Sequence, residues 1–351
     1  MSVFWNERVN SLTPYIPGEQ PRESGIIKLN TNENPYPPSP AVYAALRDAA
    51  VDTLRLYPDP CCTALRCAIA AKNGLQSENV FCGNGSDEVL AFAFGAFFGK
   101  ERLLFPDITY SFYPVYANFW GINYREVPLG ADWNINIKDY DDCSGGIIFA
   151  NPNAPTGSFL KISQVKTLCS LALSKNAVIV IDEAYSAFAA ETALPLLLKE
   201  KFPNLLIVRT FSKAYSLAGL RAGFALGHKD LICALERMRD SFNSYTLDYI
   251  AQKAALAAVN DHNYLDQTTA KIIAERERIS AELKKRDYEI LPSAANFIFA
   301  KHPALSGEAV YESLRSRGVL VRHFSKQRIK DFVRISIGTK EQMDALLNAA
   351  P

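Results

Sequence analysis

The feature that most constrains this chain is an apolar run that ends abruptly in a turn carrying a lysine. Leu206–Val208 reads as part of a buried strand, and Ser212 and Lys213 follow it closely. A second apolar run, Gly223–Leu226, begins after a segment of small residues. Lys213 is thus predicted just beyond the C-terminal end of a strand, where open α/β sheets bind their ligands. Such a lysine is either a solvated surface charge or an amine held in a dry pocket to form a Schiff base.

Other apolar strands along the chain also end in polar side chains. Strands are predicted at 80–82, 145–150 and 177–181, with helical segments between them. This alternation indicates an α/β fold with a mostly parallel sheet, flanked by helices and joined by right-handed crossovers. One edge of the sheet should therefore collect the polar residues that follow the strands: Ser86 and Asp87, Asn153, Asp182, and Lys213.

The first of these strands leads into a glycine-rich turn and a helix that runs to Phe98. A turn of this kind, with exposed backbone N–H groups and the positive end of a helix dipole, is an anion site. Neither the dinucleotide fingerprint nor the P-loop spacing is present. The alternative is that Ser86 and Asp87 only cap the helix.

Two further features suggest a planar, charged ligand. Asp182 directly follows a fully apolar run, and a buried carboxylate needs a partner, which a protonated ring nitrogen would supply. Tyr110 lies in an aromatic segment after another strand. Such aromatics usually belong to the core, but one of them could stack on a planar ring.

The texture of the sequence changes after about residue 245. We expect an N-terminal arm (1–35) that packs near a smaller α+β domain (246–351), and a large α/β domain between them (36–245). Within the small domain, Arg322 and Arg334 each lie on an otherwise apolar strand. Two such arginines favour a site for carboxylate or phosphate.

Composition narrows the function classes. The 351 residues carry a net charge of +1, which gives no electrostatic case for a nucleic-acid or membrane partner. Neither a signal peptide nor an apolar run of membrane-spanning length is recognised, and 89–98 is too short. The 7 cysteines lack the spacing of a disulfide framework or a zinc site. We therefore expect reduced thiols, a cytoplasmic location and no metal.

One cofactor would use all the polar groups at the predicted sheet edge. Pyridoxal phosphate needs a lysine for its aldehyde, a helix N-terminus and a cation for its phosphate, and a carboxylate for its ring nitrogen. Lys213, the turn at Gly85–Asp87 with Ser212 and Arg221, and Asp182 would supply them.

The sequence also resembles the fold-type I pyridoxal-phosphate aminotransferases. The resemblance is carried by Asn151–Gly157, Asp182–Tyr185 and Ser212–Arg221, and it covers essentially the whole chain in order. Tyr57–Asp59 and Leu12–Tyr15 extend it, as do the strands with the two arginines. It implies the fold-type I architecture, a large mostly parallel domain plus a smaller α+β domain.

The resemblance implies a role for each matching residue. Lys213 would form the Schiff base and later move a proton, Asp182 would pair with the ring nitrogen, and Tyr185 would bond the ring hydroxyl oxygen. The substrates would be small molecules, and Arg334 would bind the α-carboxylate of glutamate. Tyr110 would stack on the ring, and Arg322 and Tyr15 would bind the substrate's distal anion. The phosphate would be bound by Ser86, Asp87, Ser212 and Arg221. The resemblance also implies a homodimer in which the partner subunit's Tyr57 reaches this phosphate.

One position departs from the family pattern. An asparagine that contacts the ring oxygen usually precedes Pro–Thr–Gly, and here Ala154 stands there. Asn153 either substitutes for it or the contact is lost.

The implied reaction is transfer of an amino group from glutamate to an oxo acceptor. An aromatic amino-acid aminotransferase and a threonine-phosphate decarboxylase would share most of these residues, and a cofactor-free binding protein would have no use for a buried amine opposite a carboxylate.

Overall fold

The structure is a computed structural model that describes residues 3–21, 25–198 and 202–351. Within these residues the α-helices, numbered α1 to α12, are Glu7–Ser11, Pro40–Arg47, Thr63–Asn73, Gly85–Phe97, Tyr113–Trp120, Ile162–Ser174, Leu194–Leu198, Lys229–Phe242, Tyr249–Asn260, His262–Lys284, Gly307–Ser316 and Lys340–Ala349. The strands, β1 to β13, are Ile27–Lys28, Val80–Asn84, Leu103–Pro106, Tyr124–Val127, Ile147–Ala150, Ile179–Asp182, Leu205–Thr210, Ala222–Gly227, Glu289–Ile290, Phe297–Lys301, Val319–Leu320, Arg322–His323 and Phe332–Ser336. Short 3₁₀ helices are Val51–Arg55, Ser77–Asn79, Ile137–Tyr140, Ser186–Phe188 and Ala218–Leu220.

A seven-stranded sheet forms the centre of the large region, in the order β2-β8-β7-β6-β5-β3-β4. Neighbours from β7 to β4 run parallel, whereas β8 is antiparallel to both β7 and β2. Because two reversals restore the direction, β2 runs the same way as β7, and both strands end at the same edge. The central strands are buried along their length, as expected where helices cover both faces of a sheet. The predicted α/β architecture is confirmed.

Local sequence signals set several of the helix boundaries. Helix α2 has Pro40 in its first turn, and the Ser39 hydroxyl accepts a hydrogen bond from the backbone N–H of Val42. Helix α4 follows β2 directly, and its first turn carries Asp87 and Glu88. The chain therefore turns from strand to helix at the sheet edge where the polar groups collect.

A second, antiparallel sheet lies in the C-terminal region, in the order β12-β13-β10-β9. Its apolar side chains share a core with helices α10, α11 and α12. Strand β1 of the N-terminal arm pairs in parallel with β11, so that Ile27 lies opposite Val319. The arm is thereby hydrogen-bonded to the same region as the small sheet.

The packing of helix α9 bears on the domain boundary expected at residue 245. Ala251, Ala255 and Val259 of this helix are buried in the same core as Val42 of α2 and Leu65 of α3. Its small, apolar face thus packs against helices that precede the large sheet. The division into domains stays a prediction, and this packing favours a boundary after α9 rather than before it.

Candidate active site

The carboxyl edge of the large sheet encloses a cavity of about 110 Å³. Asp182 is the last residue of β6, and Lys213 follows the end of β7 by three residues. Most of the residues predicted from the sequence meet here. The lining consists of Ser86, Asp87, Tyr110, Ala150, Ala154, Asp182, Ala184, Tyr185, Thr210, Ser212, Lys213 and Arg221.

The Asp182 carboxylate is buried and held by two donors. The backbone N–H of Ala184 donates to Oδ1 at 3.1 Å, and the Tyr113 hydroxyl donates to Oδ2 at 3.2 Å. Burial nevertheless raises the pKa of Asp182 to about 7, because the two hydrogen bonds only partly offset the loss of water. A cation placed in the cavity would favour the charged carboxylate and bind to it strongly.

The Lys213 amine is the candidate nucleophile of this cavity. Its Nζ donates to the carbonyl oxygen of Thr31 at 3.0 Å and lies 5.9 Å from the centre of the Tyr185 ring. Burial, followed by the positive charge of Arg334, lowers the pKa of Lys213 to about 8. The neutral amine, which is the nucleophilic form, is therefore accessible near neutral pH.

The opposite end of the cavity is suited to an anion. Gly85 begins α4 with φ of +77°, and a Cβ there would lie 2.6 Å from Arg221 Nη2. A Cβ on Gly223 would lie 2.3 Å from the backbone nitrogen of Ser86. Gly223 is thus required for the close approach of β8 to the N-terminus of α4, whereas at Gly85 the positive φ favours glycine.

Arg221 already contacts two polar groups at this end. Its Nη2 pairs with Asp87 Oδ2 at 2.7 Å, and its Nη1 donates to the Ser212 hydroxyl at 3.3 Å. The Tyr110 hydroxyl donates to the other oxygen of Asp87 at 2.7 Å. The ion pair is about two-fifths exposed, so an entering anion can compete for Arg221 without breaking a buried pair.

A larger cavity, of about 490 Å³, adjoins the first at Tyr110 and Ala154. Tyr15, Arg322 and Arg334 line it. The two arginines lie directly opposite each other on β12 and β13, and both guanidinium groups lie within 6 Å of the Phe324 ring centre. Arg334 Nη2 donates to the carbonyl oxygen of Asn30 at 2.8 Å, whereas its buried Nε has no partner among the described residues.

The placement of these two arginines favours the binding of an anion. Like charges on directly opposed strand positions repel each other, and an unpaired buried N–H of a cation is costly. Burial lowers the pKa of Arg334, the direction expected for a cation removed from water. A carboxylate or phosphate would relieve both costs.

Two predicted site residues lie outside these cavities. The Asn153 amide nitrogen donates to Ile108 O and Thr156 Oγ1, both at 2.9 Å, and the side chain lines a separate small cavity. Tyr57 is 81% exposed and stacks on Tyr245 with ring centres 4.5 Å apart. A single chain therefore does not bring Tyr57 to the cavity that contains Lys213.

The structure adds polar contacts that the sequence did not reveal. Tyr113 bonds Asp182, Asn32 Nδ2 donates to the Tyr185 hydroxyl at 2.9 Å, and Asn34 Nδ2 donates to Lys213 O at 3.1 Å. Tyr113 was one of several aromatics after a strand. Asn32 and Asn34 stood in a turn-rich stretch, where asparagine is common for local reasons. The repeated asparagines were the available signal.

Comparison with known proteins defines the class of the chain. Residues 24–349 match the family model described as aminotransferase class I and II. A solved structure of histidinol-phosphate aminotransferase from Sinorhizobium meliloti, in complex with pyridoxal-5'-phosphate, superposes with a TM-score of 0.87. The two sequences are 26% identical, and the match covers 99% of this chain and 97% of the other.

Curated relatives are closer in sequence. The histidinol-phosphate aminotransferase of Chromohalobacter salexigens is 51% identical over 99% of this chain and 98% of its own length. Histidinol-phosphate aminotransferase 1 of Pseudomonas fluorescens strain Pf0-1 is 52% identical, with 99% of each chain covered. The chain belongs to the pyridoxal-phosphate-dependent aminotransferases of class I and II and, within them, to the family of the histidinol-phosphate aminotransferases.

The cavity fits the cofactor of this class. A lysine amine, a buried carboxylate and a helix N-terminus with an arginine line one cavity. These are the groups that an aldehyde, a ring nitrogen and a phosphate require. Among the described residues no cluster of His, Cys, Asp or Glu could hold a metal ion, and no helix is long and apolar enough to cross a bilayer.

Proposed function

We propose that this chain transfers an amino group between L-glutamate/2-oxoglutarate and histidinol phosphate/imidazole acetol phosphate, a step of histidine biosynthesis. The observation that carries the proposal is the junction of the two cavities. The lysine–carboxylate cavity shares the lining residues Tyr110 and Ala154 with a larger cavity that contains two opposed arginines. The relatives named above support the choice of substrates.

The larger cavity must accept two unlike substrates in turn. Glutamate carries two carboxylates, whereas histidinol phosphate carries a phosphate where an amino acid has its carboxylate. A guanidinium fork accepts carboxylate and phosphate oxygens in the same bidentate manner. We assign the group on the reacting end to Arg334 and the distal anion to Arg322 and Tyr15.

In the smaller cavity each residue has a separate task. Pyridoxal phosphate, when bound, supplies an aldehyde that bonds to an amine and a ring that accepts electrons. Asp182 would hold a proton on the ring nitrogen by its charge, and Tyr110 would stack against the ring. The phosphate would be held by Ser212 and Arg221 and by the main chain of two residues of α4, Ser86 and Asp87. Lys213 Nζ, whose pKa is about 8, would take up the proton that leaves the substrate Cα and deliver it to the C4′ carbon of the cofactor.

The reaction class is tested with purified protein and pyridoxal phosphate. We expect glutamate to be consumed when imidazole acetol phosphate is supplied, with equal amounts of 2-oxoglutarate and histidinol phosphate formed. An aromatic 2-oxo acid as acceptor and threonine phosphate as substrate serve as comparisons. Release of CO₂ without consumption of glutamate would contradict the proposal.

We also propose that the active unit is a homodimer in which Tyr57 reaches the partner's phosphate site. Large apolar side chains of two segments joined by the Tyr57–Tyr245 stack are exposed, an arrangement typical of an interface. The exposed side chains are Val51, Leu54, Leu56, Tyr57, Phe242 and Tyr245.

Mixed dimers test the shared site. Lys213→Ala and Tyr57→Ala protomers are each expected to be poorly active alone. A heterodimer of the two contains one site with both Lys213 and Tyr57 intact, so mixing should restore activity. Failure of mixing to restore activity in proven heterodimers would contradict the placement of Tyr57.

We further propose a cytoplasmic location. Its support is the set of seven cysteines, which are free thiols and include exposed Cys61, Cys67 and Cys233. Exposed unpaired thiols favour a reducing compartment. Fractionation of cells that express the chain would check this, and enrichment outside the cytoplasm would contradict it.

A further inference from the structure

The Tyr185 hydroxyl lies at the wall of the smaller cavity and contacts a residue of the N-terminal arm. Tyr185 is 8% exposed, and its ring packs edge-on against Phe297. Asn32, 1% exposed, approaches its hydroxyl with Nδ2 at 2.9 Å. An amide nitrogen can only donate, so this contact uses a lone pair of the Tyr185 oxygen and leaves its proton free.

The orientation of the Asn32 amide is fixed by a second hydroxyl. The backbone N–H of Asn32 donates to Ser336 Oγ at 2.8 Å, so that oxygen acts as an acceptor for this contact. The Ser336 proton is then directed to Asn32 Oδ1 at 3.1 Å. Because Oδ1 accepts from Ser336, the other face of the amide, which meets Tyr185, is the nitrogen.

Backbone contacts hold this arrangement in place. Asn32 adopts a left-handed conformation with φ of +55°, which asparagine tolerates better than most residues. Its carbonyl oxygen accepts a hydrogen bond from the buried Asn296 amide at 3.0 Å. Ser336 lies on β13, two residues beyond Arg334. The Tyr185 hydroxyl is therefore tied to the strand that carries this arginine.

We propose that Asn32 is a positioning residue that sets the direction of the Tyr185 hydrogen bond, so that Tyr185 donates its proton into the cofactor cavity. This rests on the proposed function, in which the acceptor is the ring hydroxyl oxygen of pyridoxal phosphate. Burial also raises the pKa of Tyr185, so the phenol keeps the proton that it donates. Asn32 would thus supply, through Tyr185, part of the stabilisation that Ala154 cannot give directly.

The decisive variant is Asn32→Asp, which keeps the acceptor for Ser336 and tolerance of positive φ but replaces the donor by an acceptor. The Tyr185 proton would then turn toward the new carboxylate and away from the cavity. In holoenzyme reconstituted with pyridoxal phosphate, we expect the pH midpoint of the visible absorption change to rise by about one unit, the size of a lost hydrogen bond to a charged group. Tyr185→Phe should move the midpoint in the same direction, and the KM for glutamate should change less than kcat.

Two further variants keep the test sharp. Asn32→Gly suits the backbone and removes the amide alone, so it should also raise the midpoint even if Asn32→Asp folds poorly. Asn204→Asp is the matched control, because this buried asparagine bonds Cys169 O and Ala177 O near the start of β7, away from the cavity. Its midpoint should equal that of the wild type.

The outcomes separate the two proposals. A midpoint unchanged in Asn32→Asp and Asn32→Gly, but raised in Tyr185→Phe, would overturn the role of Asn32 while leaving the aminotransferase reaction intact. A wild-type protein with no visible absorption on addition of pyridoxal phosphate would contradict the proposed function and, with it, this inference.

Discussion

The two adjoining cavities are built in different ways. The smaller one is lined mainly by residues at or just beyond the ends of β2, β5, β6 and β7, all strands of one hydrogen-bonded sheet, together with Tyr110. The larger one combines distant parts of the chain: the arm near Tyr15, the region from β3 to α5 that includes Tyr110, and the opposed arginines of β12 and β13. One sheet positions the chemistry, and the junction of several segments receives the substrate.

This difference suggests a division of labour. Groups that act on every substrate gain from a rigid frame, because a small displacement of a reacting atom lowers the rate steeply. A site that binds first glutamate and then a phosphate ester gains from forks that accept either anion. Substitutions in the smaller cavity should therefore lower kcat for all substrates, and those in the larger cavity should act mainly on KM.

The largest effect is expected from Lys213→Ala in the smaller cavity. Loss of the amine removes both the covalent attachment point and the proton carrier, and the latter alone is worth roughly 10²–10⁴-fold in rate. Steady-state kinetics should show turnover near background with every substrate. Lys340→Ala, which alters a lysine whose side chain is 69% exposed, should retain normal rates. Near-normal turnover of Lys213→Ala would refute the assignment.

Asp182→Asn should trade activity for stability. In the cofactor-free protein the pKa of this carboxyl is about 7, raised from 3.8 by burial. A raised carboxyl pKa means that the folded state holds the proton longer than the unfolded state, so stability is lost as pH rises from about 4 to 7. The neutral amide escapes this loss, which is on the order of a few kcal/mol above pH 7.

The measurement is thermal unfolding of the cofactor-free proteins at pH 4 to 8. The variant should gain stability over wild type as pH rises to about 7 and should show no further gain above it. Its kcat should fall for all substrates, since an amide cannot hold the ring proton by charge. Equal stability of the two proteins at pH 8 would show that the carboxylate is not desolvated as the structure indicates.

Arg334→Lys tests the role of the larger cavity in substrate binding. A lysine keeps the charge but loses the bidentate fork, so kcat/KM for glutamate should fall about 10- to 100-fold, mostly through KM. The visible absorption of bound cofactor should stay unchanged. Arg322→Lys is the matched variant on the opposed strand and should instead weaken binding of the substrate's distal anion. A loss confined to kcat would contradict the assignment of Arg334 to substrate binding and would indicate a role in the chemical step.

The same contrast explains what the sequence could predict. Asp182 ends one apolar strand and Lys213 follows the end of another by three residues, so their place along the chain determines their place at the sheet edge. Arg322 and Arg334 stood out as charges on apolar strands, but their direct opposition depends on the register of two strands. The Asn32–Tyr185 contact joins residues 153 positions apart, and no local pattern predicts it. The boundary expected at 245 followed a change in the sequence pattern, whereas the small apolar face of α9 packs against α2 and α3.

Asn153→Ala should have the smallest effect and tests the boundary of the smaller cavity. Both hydrogens of its amide are engaged by Ile108 O and Thr156 Oγ1, so it has no donor left for a ring oxygen. We expect a loss of about 1–2 kcal/mol in stability from these bonds, with affinity for pyridoxal phosphate changed less than about threefold. Thermal unfolding and cofactor titration would measure both. A tenfold or larger loss of affinity at unchanged stability would mean that Asn153 turns into the cavity when the cofactor binds, and the rigid frame assigned to this sheet edge would need one moving part.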